Sequence, residues 1–91
     1  MVHVRQLHAQ GEVVLEFSGS LDVRSADQLA AVALQQPLAL RLVIDISHAS
    51  HVHDAALGRL VEALPVHRRR TVRGAGDHQA RLLAYLGEEV E

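Results

Sequence analysis

Residues 42–64 read LVIDISHASHVHDAALGRLVEAL, and they decide the fold. The opening run, Leu42-Val43-Ile44 and then Asp45-Ile46-Ser47, is short and rich in β-branched residues. That composition suits a strand buried on both faces. Residues 48–53 are polar and rich in histidine, and read as a tight turn. Leu57, Leu60, Val61 and Leu64 then fall at i, i+3, i+4 and i+7, one face of a 3.6-residue helix. Asp54 stands where a side chain would cap that helix. The expectation is a central strand, a crossing and a packed helix. Their junction puts backbone N–H groups at a rim that a partner or an anion can reach.

Working outward toward the N-terminus, Pro37 ends an Ala-rich helical pattern whose stripe is Leu29, Val32, Ala33 and Gln36. Its start reads as a capping box, with Ser25 as cap and Gln28 three residues on. Residues 19–22, Gly-Ser-Leu-Asp, read as a loop. Before them, Val13, Leu15 and Phe17 alternate with Val14, Glu16 and Ser18, as in a strand with one buried face. Residues 2–7 read as a modest edge strand, joined to it through Gln10-Gly11 as a hairpin. Toward the C-terminus, Pro65 stops the second helix. Residues 67–74 hold Arg68, Arg69, Arg70 and Arg73 around a lone Val72, which predicts a short, wet edge strand. Residues 78–86 form a third helix behind a cap at Asp77, with Ala80, Leu83 and Ala84 inward. Gly87 stops it, and the acidic residues 88–91 are expected to fray. The order β-β-α-β-α-β-α predicts an α/β fold, a mixed four-stranded sheet with helices packed on it, in one domain over residues 1–91.

Composition narrows the function. Hydrophobic residues make up 48%, enough for one core, and with one Phe, one Tyr and no Trp that core is aliphatic. There is no cysteine, so neither disulfides nor thiol chemistry enter, and cytoplasmic residence is the expectation. No apolar run approaches the ~18 residues of a membrane span, and no leader pattern opens the chain. The net charge of −2 gives no general attraction to nucleic acid.

These landmarks, taken in order, resemble the STAS family, the small domains named after sulfate transporters and anti-sigma factor antagonists. The resemblance rests on Gly19-Ser20-Leu21-Asp22 after the second strand, the strand at residues 42–47, and Val52-His53-Asp54-Ala55-Ala56-Leu57-Gly58 opening the second helix. It extends to Val72-Arg73-Gly74 and residues 82–87 at the end, so it covers nearly the whole chain. In the antagonist branch, a Ser or Thr two residues after the Asp that begins this helix is phosphorylated by a kinase that is itself the anti-sigma factor. A phosphate there would be favoured by the helix N-terminus and would alter docking. Here that position is Ala56, its neighbour is Ala55, and Leu57 replaces the Gly that commonly follows, so no phosphoacceptor is expected.

The resemblance implies a non-enzymatic regulator that binds an anti-sigma factor or related regulatory kinase. The expected contact surface is Asp22, Ser50, His51, His53, Asp54, Ala55, Ala56, Gly58 and Arg59, with Leu57 in the core. A second reading makes the chain a small subunit docked on the ATPase of a lipid-transport ABC system. A third is ligand sensing, for which no phosphate-cradling loop is present. Two copies pairing through an edge strand or a helix face would make a homodimer.

Other constellations read more simply. His48, His51, His53 and Asp54 are good zinc or nickel ligands by type, but H-x-x-H-x-H-D matches no strong metal signature and reads as a polar loop. Neither a metal nor a cofactor is expected. Arg68–70 with Arg73 has no interleaved aromatics and reads as charge protecting a sheet edge. Asp22, Asp45 and Asp54 lack a nucleophile to serve, and read as caps and interface groups. Ser47 and Ser50 are the hydroxyls nearest the second helix; Ser50 reads as a turn residue.

Overall fold

A computed structural model describes residues 1–91. In chain order the elements are β1 (Val2–Leu7), a 3-10 turn (His8–Gln10), β2 (Glu12–Leu21), α1 (Val23–Leu34), β3 (Arg41–Val52), α2 (Asp54–Ala63), β4 (Arg70–Arg73) and α3 (Asp77–Tyr85). The sheet order is β1-β2-β3-β4, antiparallel between β1 and β2 and parallel thereafter. This is the mixed four-stranded α/β arrangement that the alternation of patterns predicts. Successive right-handed crossovers running one way along a sheet place their helices on one face. Alternate strand residues Val13, Leu15, Phe17, Leu42, Ile44, Ile46 and Val72 accordingly join Leu29, Leu57, Leu60 and Leu83 of the helices in a core of 18 buried residues. Leu42 through Ile46 are all buried, so the side chains on both faces of β3 are hidden from solvent, as its composition predicts.

Four local readings are corrected. First, the polar stretch after Ser47 is not a turn. It continues β3 to Val52, paired with Ser18–Leu21 of β2 through two register shifts. Each shift places an extra β3 residue against β2, as bulges do, and the residues read as a loop at 19–22 belong largely to β2. Second, α1 begins earlier: Asp22 is its cap, accepting from the Ser25 N–H at 2.8 Å, while Ser25 Oγ accepts from the Asp22 N–H at 2.9 Å. The acid and the hydroxyl form the reciprocal box between themselves, and Gln28 is not part of it. Third, α2 and α3 have no side-chain cap: His53 and Gly76 hold the cap positions, with Asp54 and Asp77 in the first turns. Along α3, Leu83 is buried and Ala80 half-buried, whereas Ala84 is exposed.

The fourth correction concerns the end of the chain. β4 is an edge strand but not a wet one, since Thr71 and Val72 are buried. Residues 88–91 are not frayed: Val90 bridges Val72 in parallel, and Glu88 holds Arg70 in a pair whose side chains are only 7% and 8% exposed. Arg68, read as solvated, is buried as well. Its guanidinium donates to the carbonyls of Leu38 and Pro37, both at 3.1 Å, and so ties the loop before β3 to the loop before β4. Burial lowers the pKa of its guanidinium, which still stays charged at any physiological pH.

Candidate functional site

The C-terminal ends of β2, β3 and β4 meet the starts of the helices at one rim, the usual functional edge of a parallel sheet. Asp22 sits there, exposed, at the head of α1. The Ser25 N–H and hydroxyl hold its carboxyl below the usual carboxylate range, and nearby His53 adds to the effect. The bulged arm of β3 carries Ser47, His48, Ser50 and His51 outward. It ends where the His53 N–H donates to Leu21 O at 3.0 Å, fixing the start of α2 against the end of β2. The His51 and His53 rings meet edge to face with centroids 4.6 Å apart.

The first turns of α2 sort the expected contact residues. Asp54 and Ala55 are exposed, Gly58 is half-buried with open space above its Cα, and Arg59 is exposed. Arg59 is already engaged, donating to both Asp27 oxygens at 2.9 and 3.2 Å across the α1–α2 seam. Ala56 does not belong to the surface. It is fully buried, because it shares the inward face of the helix with Leu57, Leu60 and Leu64. A hydroxyl at Ala56 would point into the core, so the small side chain within reach of a partner is Ala55. Neither alanine offers a hydroxyl, and α2 contains no Ser, Thr or Tyr. Ser50 is the exposed hydroxyl nearest the helix in sequence.

Three residues of the rim have contacts that no local sequence signal reveals. His78, in the first turn of α3, meets both Asp54 oxygens through Nε2 at 2.9 and 3.0 Å and so links the heads of α2 and α3. Twenty-four positions separate the pair, so only the tertiary fold reveals it. Gly74 follows β4 with φ +80°, and a Cβ there would lie 2.5 Å from the Ser47 Cβ. Gln79 joins Ile46, Ser47, Ala49, Ser50, His51, Val52, Gly74 and Gly76 around a cleft of about 330 Å³ between the β3 arm and the loop into α3.

His48 Nδ1 stands 3.3 Å from Ser47 Oγ, but the carboxylate of Asp45 accepts from the Ser47 N–H at 2.9 Å and makes no hydrogen bond to the imidazole. A nucleophile–base–carboxylate relay is therefore incomplete. Burial pushes the Asp45 carboxyl up. The hydrogen bonds from Ser47 and the charges of Arg73 and His48 outweigh it and leave the pKa lowered. No three His, Asp or Glu side chains converge in a ligating arrangement, His48, His51, His53 and Asp54 included.

No protein-family model and no curated protein sequence matches the chain. Solved structures do. The anti-sigma factor antagonist SpoIIAA in its unphosphorylated form superposes with a TM-score of 0.67 over 100% of this chain and 87% of that one, at 18% identity.

The fold is STAS-like.

In this STAS-like chain the likeness carries topology: the mixed sheet, the three helices, and the position of α2 directly after the central strand. None of its helices is long and apolar enough to cross a membrane.

Proposed function

We propose that the protein is a non-enzymatic regulator that works by docking another protein on the rim formed by Asp22, the β3 arm at Ser50 and His51, and His53, Asp54, Ala55, Gly58 and Arg59. By analogy with SpoIIAA, which is an anti-sigma factor antagonist, the partner is an anti-sigma factor or a related regulatory kinase. The observation that carries this reading is the exposed head of α2. Asp54 and Ala55 stand clear of the core beside the acidic cap of α1, with a cleft next to them. A small side chain at Ala55 lets a partner backbone approach closely, and the flanking carboxylates give the contact its charge sign.

The absence of any hydroxyl on α2 supports a protein without a phosphate switch at this helix. It would stay competent to bind, and its abundance or its partner would set the outcome. The reading is tested by measuring binding between the protein and kinase-type anti-sigma factors of its own source. At least one should bind, and Asp54→Arg should weaken that complex tenfold or more while the variant still unfolds cooperatively; Ala55→Arg, which breaks no contact within the fold, should do the same. Absence of binding to all of them, or equal binding by the variants, would overturn it.

A further inference from the structure

Residues 88–91, Glu-Glu-Val-Glu, lie along the outer edge of β4. Val72 donates its N–H to Glu89 O at 3.0 Å and accepts from the Glu91 N–H at 2.8 Å. The three glutamates are met one by one by three arginines. Arg70 holds both Glu88 oxygens at 2.7 and 2.8 Å, Arg41 reaches Glu89 at 2.6 Å, and Arg73 stands 3.5 Å from Glu91. These arginines are also oriented from within the fold. Thr71 Oγ accepts from Arg41 at 3.0 Å, and the carbonyls of Pro65 and Arg68 accept from Arg70. Arg73 stands opposite Asp45 in the β3–β4 register. The donors are thus set in place by the sheet and its loops, and preorganisation of this kind reduces what a bound segment loses on ordering.

Hold on the segment is uneven. Glu88 is buried with Arg70, whereas the carboxylate-bearing side chains of Glu89 and Glu91 are 65% and 56% exposed. Exposed ion pairs hold weakly and are screened by salt; what else holds the segment is one bridge of two main-chain hydrogen bonds and the half-buried Val90, packed against the edge of the core. Gly87, at φ +86°, makes the turn out of α3 that delivers the segment. The arrangement is an anchor at residue 88 followed by a light latch over residues 89–91.

We infer that the β4 edge is a docking groove for an extended acidic segment of a partner protein, which adds as a strand beside Val72 with its carboxylates on Arg41 and Arg73, and that residues 89–91 fill the groove in cis as a displaceable stand-in. Addition of a strand to a sheet edge takes its affinity from main-chain hydrogen bonds and its selectivity from side chains at alternate positions. Here the selecting groups are arginines, so the partner segment carries carboxylates two residues apart around one apolar residue. The tethered stand-in competes at an effective concentration near the millimolar range, so the intact chain binds such a segment only weakly. This groove lies along the sheet edge, away from the α2 rim, and does not depend on the reading of that rim.

The test uses the chain of residues 1–91 in low salt and a fluorescent peptide of residues 86–91, LGEEVE, followed by anisotropy. In E89S/V90G/E91S the latch is removed while the Glu88–Arg70 anchor stays and no positive charge is added. This variant should bind the peptide at least tenfold more tightly than the unaltered chain, and the Val72 amide resonance should shift on titration. Adding Arg41→Ala and Arg73→Ala should abolish binding, and a peptide with Gln for each Glu should fail. If the triple variant no longer unfolds cooperatively, E89Q/E91Q serves in its place with the same expectation. Equal binding by the latched and unlatched chains would overturn the inference. So would equal binding of a peptide of the same composition with its carboxylates in adjacent positions, or equally effective displacement by a single-stranded oligonucleotide. Either of the last two would reduce the groove to a plain anion patch.

Discussion

Gly74 and Asp22 set the rim at the residue scale. Gly74 passes so close to Ser47 that a methyl group has no room, and its φ of +80° is one that other L-residues resist. Gly74→Ala combines a strained backbone with a forced shift of the β3 arm. The expected loss is at least ~2 kcal/mol, read as a lower urea midpoint with an unchanged slope. Asp22 gives a prediction with a sign in pH. Its folded-state pKa lies below its unfolded value, so the unfolded chain takes up the proton first as pH falls. The cap's contribution is complete above the unfolded pKa and disappears as pH drops through the folded one. Asp22→Ala should therefore lower the melting temperature at pH 7, by an amount that shrinks steadily as the pH is taken down below the usual carboxylate range. A gap that does not shrink at all with falling pH would mean that the carboxylate is not the stabilising species. Asp45, also lowered, makes the chain as a whole less stable on the same acid side.

Elements explain why two adjacent alanines differ. Ala55 and Ala56 are neighbours in sequence and opposites in space, because successive helical residues are about 100° apart around the axis. Ala56→Ser buries a hydroxyl in the aliphatic core and should cost about 1–3 kcal/mol in chemical denaturation. Ala55→Ser should be nearly neutral in stability, and should make α2 phosphorylatable by a serine kinase that docks on the rim. Incorporation of phosphate into the Ala56→Ser chain but not the Ala55→Ser chain would contradict this placement.

The same scale explains what the sequence disclosed and what it withheld. Periodicity located all three helices and the buried central strand, since apolar spacing is a local property that burial enforces. It missed the length of β3. Residues 48–52 alternate poorly, because two bulges shift the side-chain phase midway along the strand. It missed the cap at Asp22, where an acid and a serine exchange the roles that a Ser-x-x-Gln pattern suggested. Of the proposed docking rim, Asp22, Ser50, His51, His53, Asp54 and Ala55 are legible as polar or small residues beside a helix start, and all six are exposed. The burial of Ala56, the engagement of Arg59 by Asp27, and the Asp54–His78 link all depend on contacts across the fold that no local pattern encodes.

On the scale of the whole molecule, the two proposed docking surfaces are a rim and an edge. The rim is assembled from segments that are distant in sequence: residues 19–22, the β3 arm, the head of α2 and the head of α3. The parallel sheet brings them together at one end. The lateral edge of the sheet, along β4, is closed by residues 88–91 through ion pairs with Arg41, Arg70 and Arg73. The arginine run that reads in sequence as a solvated patch is thus largely spent on internal partners. Raising the salt concentration should loosen the exposed Glu89 and Glu91 pairs before the buried Glu88 pair. Amide exchange should quicken at Glu91 while the centre of β3 stays protected.

The most direct test of a permanently competent docking rim is the affinity for a kinase-type anti-sigma factor, measured by calorimetry with and without magnesium ATP. The account predicts one affinity in both conditions, no phosphate on this chain by mass spectrometry, and loss of binding in Ala55→Arg with folding intact. Dissociation driven by ATP with a phosphoryl group appearing on Ser50 or another residue of the rim, or undiminished binding by Ala55→Arg, would contradict it.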